Sequence, residues 1–521
     1  MASLPCFILS PSTILSIGGL LHGPDRTPPT PVGDWRTAKV DVVIPALNEA
    51  DHIEMCLASV LRQTLRPRQV VLIDDGSTDG TVERAKAYCE AHNLPLTAVQ
   101  RRSPIGKTPT IKRQARELDS DVEFILDADT VLESDNYIAR TVEELYQAHG
   151  IASAFGTIQP QRKKDRQAFE ERAGLREPGT EAKNDAGLMH DVARGATNMY
   201  RDVLYMFLQR FIYRGQMVFF GTTNSPIGCA VAYRRKYVEA LFDHIEPELG
   251  DDLTNSEDIF IGFSMLNEGY RNIQLTDVYA RTVEPEIQRL PRQLYFWSSS
   301  FLQSCYYFDP LVRSPFKALK RWRAQRRQDK STRNGTGAKA VRHRVDAPAS
   351  VAAMSMAGGA ASLSLQLPMQ SRAAASMMSA TALSSQSMPA SIGGQTAPSG
   401  PERRVVTEPY RQAFGRARTE SLGRPSGWIP FMAAVEKVFF PTTLLIMAIL
   451  GNWTGLAWTI AIETLLCVSA LALVMPGQRM EYVAKGLLTT PIRYALLGGE
   501  LVTLGRFATD LWITKNRKWR K

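Results

Sequence analysis

Short apolar runs, each followed by a segment with helical spacing, organise the first part of the chain. Four of these runs have the length and composition of buried β-strands, at residues 39–45, 69–73, 96–101 and 124–126. Helical patterns fill the intervals between them, so strand and helix alternate along the sequence. This alternation predicts an α/β domain with a largely parallel sheet, beginning at about residue 38.

Carboxylate side chains lie at the ends of two of the predicted strands. Asp74 and Asp75 end the second strand, and Asp127 and Asp129 end the fourth. Because ligands of α/β sheets bind at the carboxyl ends of strands, we expect the four side chains to line one crevice. Positions i and i+2 of an extended chain point the same way, so Asp127 and Asp129 are placed to bind one hard cation. Oxygen ligands that leave room for water and phosphate suit Mg²⁺ or Mn²⁺ beside a diphosphate.

Each acidic pair also has a purely structural interpretation. Asp127 and Asp129 fit an acidic turn before a helix that begins near Leu132. Asp74 and Asp75 lie among Gly, Ser and Thr residues, which form turns and helix caps without any ligand. The local pattern leaves both interpretations open.

The middle of the chain, about residues 151–310, has a mixed pattern. A charged stretch at 161–195 predicts an exposed helical excursion. Residues 256–258 precede a helical pattern that ends at Gly269, with the capping signature of a helix start. Strands are predicted at 155–158, 218–223, 227–233 and 271–275.

Residues 311–427 differ in composition from the rest. They are basic at first and then rich in Ala, Ser, Met and Gln, with no periodicity. Such a segment buries too little apolar surface to offset its ordering entropy, so it is interpreted as a basic and disordered low-complexity insert. It separates a domain at 38–310 from a C-terminal region at 428–521. Residues 1–37 form an apolar and linker segment, whose apolar run is shorter than a membrane span requires.

The C-terminal region contains two long apolar runs, at 438–450 and 453–475, separated by Gly451 and Asn452. They predict a helical hairpin through a bilayer, with a buried helix pair in a soluble domain as the alternative. Residues 486–513 predict an amphipathic interfacial helix or a third span.

Charge supports the membrane interpretation. The 521-residue chain has a formal net charge of +10, which favours either nucleic acid or an anionic membrane surface as a partner. Its basic residues cluster near the apolar segments, which favours membrane lipids and predicts no nucleic-acid partner. Basic residues flank the apolar hairpin on both sides, and this bias predicts a multi-pass protein with a cytoplasmic α/β domain. Six cysteines without metal-ligand spacing argue against zinc and indicate a reducing compartment.

Four motifs, taken in order, resemble those of family 2 glycosyltransferases with a GT-A fold. They lie at residues 42–49, 71–79, 106–107 and 126–129. Together with a Glu-Asp pair at 257–258 and a C-terminal membrane part, they are similar to the membrane-embedded branch that includes cellulose, chitin and hyaluronan synthases. The resemblance implies a GT-A nucleotide-sugar-binding domain with a mixed, mainly parallel sheet.

The resemblance also implies a donor site for a UDP-sugar. Pro45, Leu47 and Glu49 would line the nucleotide pocket. Asp75 would help to hold the uracil and the ribose, with Asp74 beside it.

The diphosphate side of the donor site is implied in the same way. Lys107 would meet the diphosphate as a point charge, although a solvated lysine at a helix start is the alternative. Asp127 would support the nucleotide sugar, and Asp129 would bind the Mg²⁺ or Mn²⁺ that bridges the phosphates. The metal site therefore comprises Asp129 and Asp127.

The catalytic base of this branch is the aspartate of the Glu-Asp pair, which is Asp258 here. It would accept the proton of an acceptor hydroxyl during attack on the anomeric carbon, which inverts the configuration. Glu257 is a second catalytic candidate, and capping of the following helix is the alternative for the pair. Asp251 and Asp252 are rival bases, but the helix that follows residue 258 favours Asp258.

Acceptor binding is implied for a Gln-x-x-Arg-Trp motif, from which this chain departs. Gln293 and Trp297 fit the motif, but Phe296 stands where the arginine belongs and cannot bind a phosphate through two hydrogen bonds. Arg289 or Arg292 is expected to compensate, and Arg292 is included with Gln293 and Trp297 in the acceptor site. An interfacial anchor is the alternative for Trp297.

Three functions are consistent with the sequence. The first is a membrane-bound, metal-dependent, inverting glycosyltransferase that uses a UDP-sugar to glycosylate a polysaccharide or a lipid-linked acceptor. The second is transfer of one sugar to polyprenyl phosphate, and the third is a non-catalytic nucleotide-sugar sensor.

Overall fold

The computed structural model describes residues 11–21, 31–175, 188–249, 256–317 and 425–514, with the further positions 319–320, 323 and 326. The chain divides into two compact units, Met1–Arg321 with Val405–Lys521, and Trp322–Arg404. All elements named below belong to the first unit. Residues 331–424 of the predicted insert lie outside the described residues, as do Asp251 and Asp252.

Eight strands in the described part of the chain form one sheet. In chain order they are β1 (Val40–Ala46), β2 (Gln69–Asp74), β3 (Leu96–Gln100), β4 (Val122–Leu126), β5 (Thr130–Leu132), β6 (Ile151–Pro160), β7 (Ala230–Arg234) and β8 (Arg271–Thr282). Their spatial order is β3-β2-β1-β4-β7-β6-β8-β5.

Parallel and antiparallel pairs both occur in the sheet. The pairs β1–β2, β1–β4, β2–β3 and β6–β8 are parallel, whereas β4–β7, β6–β7 and β5–β8 are antiparallel. The prediction of an α/β domain with a mixed, mainly parallel sheet is therefore confirmed. The carboxyl ends of β1, β2 and β4 lie side by side, where the site is expected.

Helices cover the sheet and form the C-terminal region. They are α1 (Pro11–Leu21), α2 (Ile53–Leu61), α3 (Thr81–Ala91), α4 (Lys107–Glu117), α5 (Tyr137–Leu145), α6 (Lys163–Arg172), α7 (Leu188–Phe207), α8 (Tyr213–Phe220), α9 (Arg235–Leu249), α10 (Glu257–Glu268), α11 (Leu290–Tyr307), α12 (Asp309–Val312), α13 (Trp428–Ile449), α14 (Trp453–Val474) and α15 (Arg479–Trp512).

The sheet lies between two apolar clusters, because successive residues of its central strands point to opposite faces. In β1, Val42 and Ile44 pack in one cluster with helix α2, whereas Val43 packs in the other with Ile111 of α4. All four side chains are buried. Burying a side chain of this size contributes about 1.5–3 kcal/mol to the stability of the fold. The buried side chains on both faces of the sheet therefore hold the strand ends that carry the site in place.

Pro45 lies inside β1, opposite Ile73 of β2, and the strand continues to Ala46. The prediction that the proline ends the strand is therefore wrong by one residue. Pairing of β1 with β4 stops at Val43, opposite Ile125. Since β4 offers no ladder partner beyond this point, a residue without an N–H is tolerated there.

Two further sequence interpretations are wrong. Residues 218–223, predicted as a strand, include the last turn of helix α8, which ends before Gly221 in the left-handed conformation. A short apolar run does not distinguish a strand from a buried helical turn, which explains the error. The helix proposed near Leu132 is instead strand β5, which pairs with β8.

Two helices in the described part of the chain, α13 and α14, are long and apolar enough to cross a membrane. Each has 22 residues, and only 11% and 28% of their most apolar windows are buried inside the protein. Helix α15 has 34 residues, contains residues 486–512 of the predicted segment 486–513, and packs against α7, α11 and α14. The predicted apolar helices of the C-terminal region are therefore present.

Glu123 of β4 gives the fold a specific pH dependence. Its carboxylate is fully buried, and neither oxygen has a hydrogen-bond partner among the described residues. Burial raises the pKa of Glu123 from 4.5 to about 8, against a lowering effect of Arg235 and with a further increase from Asp41. The folded protein thus binds a proton here that the unfolded chain releases above about pH 4.5, so the free energy of unfolding falls between pH 4.5 and 8.

We expect Glu123→Gln to raise the free energy of unfolding at pH 8 by about 1–3 kcal/mol, because the amide carries no charge to desolvate. At pH 4 the variant and the parent protein should differ much less. Thermal unfolding followed at both pH values measures the effect. Glu90→Gln, at an exposed position of α3, is the matched control and should leave the pH dependence unchanged. An unchanged pH dependence in Glu123→Gln would contradict the assignment.

Candidate active site

The loops that follow β1 and β2 are hydrogen-bonded to each other. The Asn48 amide donates to Ser77 Oγ (2.8 Å), and the Thr78 amide donates back to Asn48 Oδ1 (2.9 Å). The Glu49 amide donates to Thr81 Oγ1 at 2.9 Å. The polar turn residues of the second loop thus fix the backbone of the first, which carries Glu49 at the edge of the crevice.

Asp74 and Asp75 have different partners. Asp74 accepts hydrogen bonds from the Ser77 amide at 3.2 Å, as expected for a turn residue. Asp75 accepts from the amides of Ile105 (2.9 Å) and Gly106 (2.7 Å) and pairs with Arg101 at 3.1 Å. Asp75 therefore holds the loop that leads into α4, and its predicted contact with uracil and ribose remains a prediction.

Lys107, the first residue of α4, is the central cation of the site. Its Nζ lies 2.6 Å from Asp127 Oδ1 and 2.7 Å from Glu257 Oε1. It also donates to the backbone carbonyl of Gly228 at 3.1 Å. These three acceptors match the three donors of an ammonium group. The alternative of a solvated lysine at a helix start is therefore wrong.

The acidic pair at the end of β4 is held by the neighbouring strands. The Asp127 amide donates to the Cys229 carbonyl at 2.8 Å, just before β7. Asp129 Oδ1 accepts from the hydroxyls of Thr130 (3.2 Å) and Thr282 (3.4 Å). Residues of β5, of β8 and of the segment before β7 thus hold the pair, which lies in the turn between β4 and β5 and does not form the start of a helix.

Asp129 lies in an excess of negative charge. Burial, and then the charges of Asp127 and Glu49, raise the pKa of Asp129 to about 7, although His52 opposes the shift. Among the described residues, no group of three or more His, Cys, Asp or Glu side chains is arranged to bind a metal ion. Two carboxylates are nevertheless sufficient for Mg²⁺ or Mn²⁺, which complete their coordination with phosphate and water. The donor set and its uncompensated charge therefore fit a divalent cation.

Asp258 lies in the first turn of α10 and accepts three hydrogen bonds. Its Oδ2 accepts from the Gly228 amide at 3.1 Å, and its Oδ1 accepts from the Ile259 amide at 2.8 Å and from the Ser256 hydroxyl. Burial and the adjacent Glu257 raise the pKa of Asp258 to about 6, while the Ser256 hydroxyl lowers it. A carboxylate with a pKa in this range is suited to proton transfer near neutral pH.

Gly228 is a functional residue that the sequence analysis missed. Its amide binds Asp258, its carbonyl binds Lys107, and a Cβ on it would lie 2.9 Å from Asp258 Cβ and 3.0 Å from Glu257 Oε1. Only glycine therefore allows this approach. The sequence places Gly228 in a predicted strand, and nothing local shows that α10 packs against it.

Gln293 and Trp297 come together on α11, but not with the arginine that was expected. Arg289 and Arg292 are exposed, and Arg292 lies 5.4 Å from the centre of the Phe296 ring. The side chain that contacts both Gln293 and Trp297 is Arg201 of α7. Its guanidinium lies 4.6 Å from the centre of the Trp297 ring and donates to Gln293 Oε1. The compensation expected from Arg289 or Arg292, which concerns a phosphate contact, remains a prediction.

The remaining predicted donor residues lie at the edge of this group. Pro45 is partly buried within β1, and Leu47 is 45% exposed in the loop that follows. Glu49 Oε2 lies 2.9 Å from His52 Nδ1. The structure thus brings together Lys107, Asp127, Glu257 and Asp258 through direct contacts and through Gly228, with Glu49 and Asp129 beside them.

Residues 41–242 match the family model described as Glycosyl transferase family 2. Over these residues the chain is similar to family 2 glycosyltransferases. The match includes every donor-side residue discussed above, and it ends before α10 and α11, which carry Asp258 and Trp297. The resemblance inferred from the sequence motifs is therefore confirmed at the level of the family.

Individual relatives match shorter parts of the chain. An uncharacterized glycosyltransferase, YibD, of Escherichia coli is 32% identical over 93 residues, which are 18% of this chain and 26% of the relative. The poly-beta-1,6-N-acetyl-D-glucosamine synthase of Staphylococcus aureus is 27% identical over 96 residues, 18% of this chain and 23% of the relative. These matches span about a quarter of the relatives' length.

A solved structure also matches. The mannosyltransferase PcManGT of Pyrobaculum calidifontis, in complex with GDP-Man and Mn²⁺, is 20% identical, with a TM-score of 0.38. The match covers 57% of this chain and 72% of that one.

We expect Gly228→Ala to reduce the release of nucleoside diphosphate about 100-fold, because the added methyl group displaces Asp258 from its position. Gly195→Ala is the matched control, since Gly195 is an exposed helical position with no neighbour within 4 Å of an added Cβ. Rates are compared at saturating donor, with thermal unfolding as the check on folding. Parent-like turnover in Gly228→Ala would mean that Asp258 is not the base or that the site is differently packed.

Proposed function

We propose that this protein is a membrane-bound inverting glycosyltransferase that transfers a sugar from a UDP-sugar to a hydroxyl of a polysaccharide or a lipid-linked acceptor. One observation carries the proposal: Gly228 joins the two halves of a reaction site. Its carbonyl binds Lys107, which pairs with Asp127 at the donor strand ends, and its amide binds Asp258. A donor carboxylate cluster and a candidate base are therefore held at one point within a family 2 domain.

The proposed reaction needs one proton acceptor and one stabilised leaving group. As the acceptor oxygen forms its bond to the anomeric carbon, Asp258 takes the hydroxyl proton and the bond from that carbon to the diphosphate breaks. Attack from the face opposite the diphosphate inverts the configuration. Three hydrogen bonds fix the orientation of the Asp258 carboxylate for this transfer.

The leaving nucleoside diphosphate accumulates negative charge. Asp127 and Asp129 would hold a Mg²⁺ or Mn²⁺ ion, which when bound supplies neutralising charge to the phosphates. Lys107 keeps Asp127 and Glu257 in place and contributes a positive charge beside the cluster. Pro45, Leu47, Glu49, Asp74 and Asp75 are proposed to hold the nucleotide, as the resemblance implies.

Membrane attachment is proposed through α13 and α14. The low burial of both helices is unlike that of core helices in a soluble protein and favours a lipid environment. Basic residues flank the hairpin, so the glycosyltransferase domain is proposed to be cytoplasmic. On the acceptor side, Gln293, Trp297 and Arg292 are proposed to bind the acceptor, and Arg201 contacts both Gln293 and Trp297.

The proposal is tested by the release of nucleoside diphosphate from a panel of UDP- and GDP-sugars. We expect turnover with a UDP-sugar and Mn²⁺ or Mg²⁺, and loss of turnover in EDTA. Asp129→Ala and Asp258→Asn should each lower turnover about 100-fold or more, by removing a metal ligand and the base respectively. Asp243→Asn, a charge removal at an exposed site on α9, is the control. Tight binding of UDP without turnover of any donor would show a nucleotide-sugar sensor instead of an enzyme.

The pH dependence of kcat/KM provides a second test. Because Asp258 must be ionised and its pKa is raised to about 6, kcat/KM should fall tenfold per pH unit below about pH 6. Glu257→Gln removes the adjacent charge that raises this pKa, so the fall of kcat/KM on the acid side of the pH profile (the acid limb) should move to lower pH. The pH at which kcat/KM falls is the quantity compared, independently of any change in the maximal rate. A limb that does not move would exclude Asp258 as the group that titrates.

A further inference from the structure

Helix α15 is attached to α7 by a buried charged group. Asp202 of α7 is almost fully buried and accepts a hydrogen bond from Tyr482 Oη at 2.9 Å. It also pairs with Lys485 Nζ at 2.5 Å and with Arg162 at 2.6 Å. An unpaired charge at this depth would be costly, so Asp202 keeps α15 in one register on α7. We call this group the Asp202 contact.

A second polar group attaches α15 to α11. Glu500 accepts a hydrogen bond from Ser298 Oγ at 2.6 Å and pairs with Lys437 of α13 at 2.8 Å. Lys437 also donates to Ser298 Oγ at 2.8 Å. We call this group the Ser298 contact. It lies 15 residues beyond Lys485 on the same helix, which is roughly 22 Å along the helix axis.

Both contacts adjoin residues of the proposed acceptor site. Asp202 follows Arg201 in α7, and Ser298 follows Trp297 in α11. In an α-helix each residue is turned by a fixed angle from the preceding one, so a side chain that is held at one position fixes the direction of its neighbour. Helix α15 therefore fixes both partners of the stacked pair, in which Arg201 lies over the Trp297 ring.

Arg201 also connects this pair to the donor side. Its guanidinium is fully buried and lies 3.1 Å from Glu284 Oε2, two residues beyond Thr282, which donates to Asp129. Within the described part of the chain, Arg201 Nη1 has no hydrogen-bond partner. The connection thus runs from α15 to Asp202, along the backbone to Arg201, across to Glu284, and along the backbone to Thr282, which contacts Asp129.

We propose that α15 positions the acceptor side of the site, with Lys485, Tyr482 and Glu500 as positioning residues that hold Arg201 against Trp297. The identity of the molecule that Trp297 binds rests on the proposed function. The contacts of α15 with α7 and α11 do not depend on it. Lys437 belongs to the apolar helix α13. The position of α13 is therefore linked to the transfer of the sugar to the acceptor. Loss of either contact should uncouple transfer from hydrolysis of the donor, since water needs no positioned acceptor site.

The test uses the full chain in membrane vesicles, with radiolabelled UDP-glucose and UDP-N-acetylglucosamine as probes. Label in extracted lipid and insoluble glycan measures transfer, and free labelled sugar measures hydrolysis. We expect Lys485→Gln and Glu500→Gln to lower the ratio of transfer to hydrolysis roughly 3- to 30-fold. Tyr482→Phe removes only one hydroxyl and should lower this ratio less. Lys485→Arg keeps the positive charge, so its ratio should equal that of the parent protein.

Glu481→Gln is the matched control. It breaks the partly exposed pair that Glu481 makes with the same lysine, at 2.6 Å, without touching α7. The ratio should remain at the parent value. Asp202→Asn combined with Lys485→Gln should be less impaired than Lys485→Gln alone, because the double variant removes the buried charge that has lost one of its two cationic partners.

A second readout needs no acceptor. Iodide quenching of tryptophan fluorescence is measured for each protein with and without the additional substitution Trp297→Phe, and the difference gives the quenching of Trp297. This quenching should increase in Lys485→Gln and Glu500→Gln, as Arg201 moves away from the ring, and stay unchanged in Glu481→Gln. Variants that lose thermal stability but keep the parent ratio and quenching would overturn the positioning role. Absence of both transfer and hydrolysis in the parent protein would instead overturn the proposed function, while the quenching result would still decide the inference.

Discussion

The ion pairs of Lys107 are the constraint on which the site depends. An ammonium group with little access to water must be matched by acceptors, and those within reach come from three separate parts of the chain. Asp127 lies at the end of β4, Glu257 at the start of α10, and Gly228 in the segment before β7. The contacts of this one ammonium group therefore bring the end of β4 and the start of α10, which carries the proposed base Asp258, to one point.

The same arrangement leaves negative charge in excess. Lys107 compensates Asp127 and Glu257, but Asp129 is left without a cationic partner among the described residues, and burial together with the charges of Asp127 and Glu49 raises its pKa. A cation bound at the proposed metal site would relieve this unfavourable charge. The excess of carboxylate groups is therefore consistent with the proposed metal site.

Sequence reasoning succeeded where the chemistry is local. Asp127 and Asp129 were placed because strand ends and alternation are visible in a few neighbouring residues, and the helix that ends at Gly269 was found by its capping pattern. Gly228 and Arg201 were not found, because each contacts a residue that is distant in sequence. Gly228 packs against Glu257, 29 residues further on, and Arg201 packs against Trp297, 96 residues further on. No local pattern encodes such distances.

The reaction site is not separable from the C-terminal helices. The family model ends at residue 242, yet the proposed base lies on α10 and the stacked Arg201–Trp297 pair is held by α15. A chain that lacked α15 would leave the buried Asp202 without Tyr482 and Lys485, and the cost of that charge would be met by a rearrangement of α7. Since α7 carries Arg201 next to Asp202, such a rearrangement would displace Arg201 from Trp297 in the proposed acceptor site. Helix α15 is therefore best understood as a structural part of the proposed site.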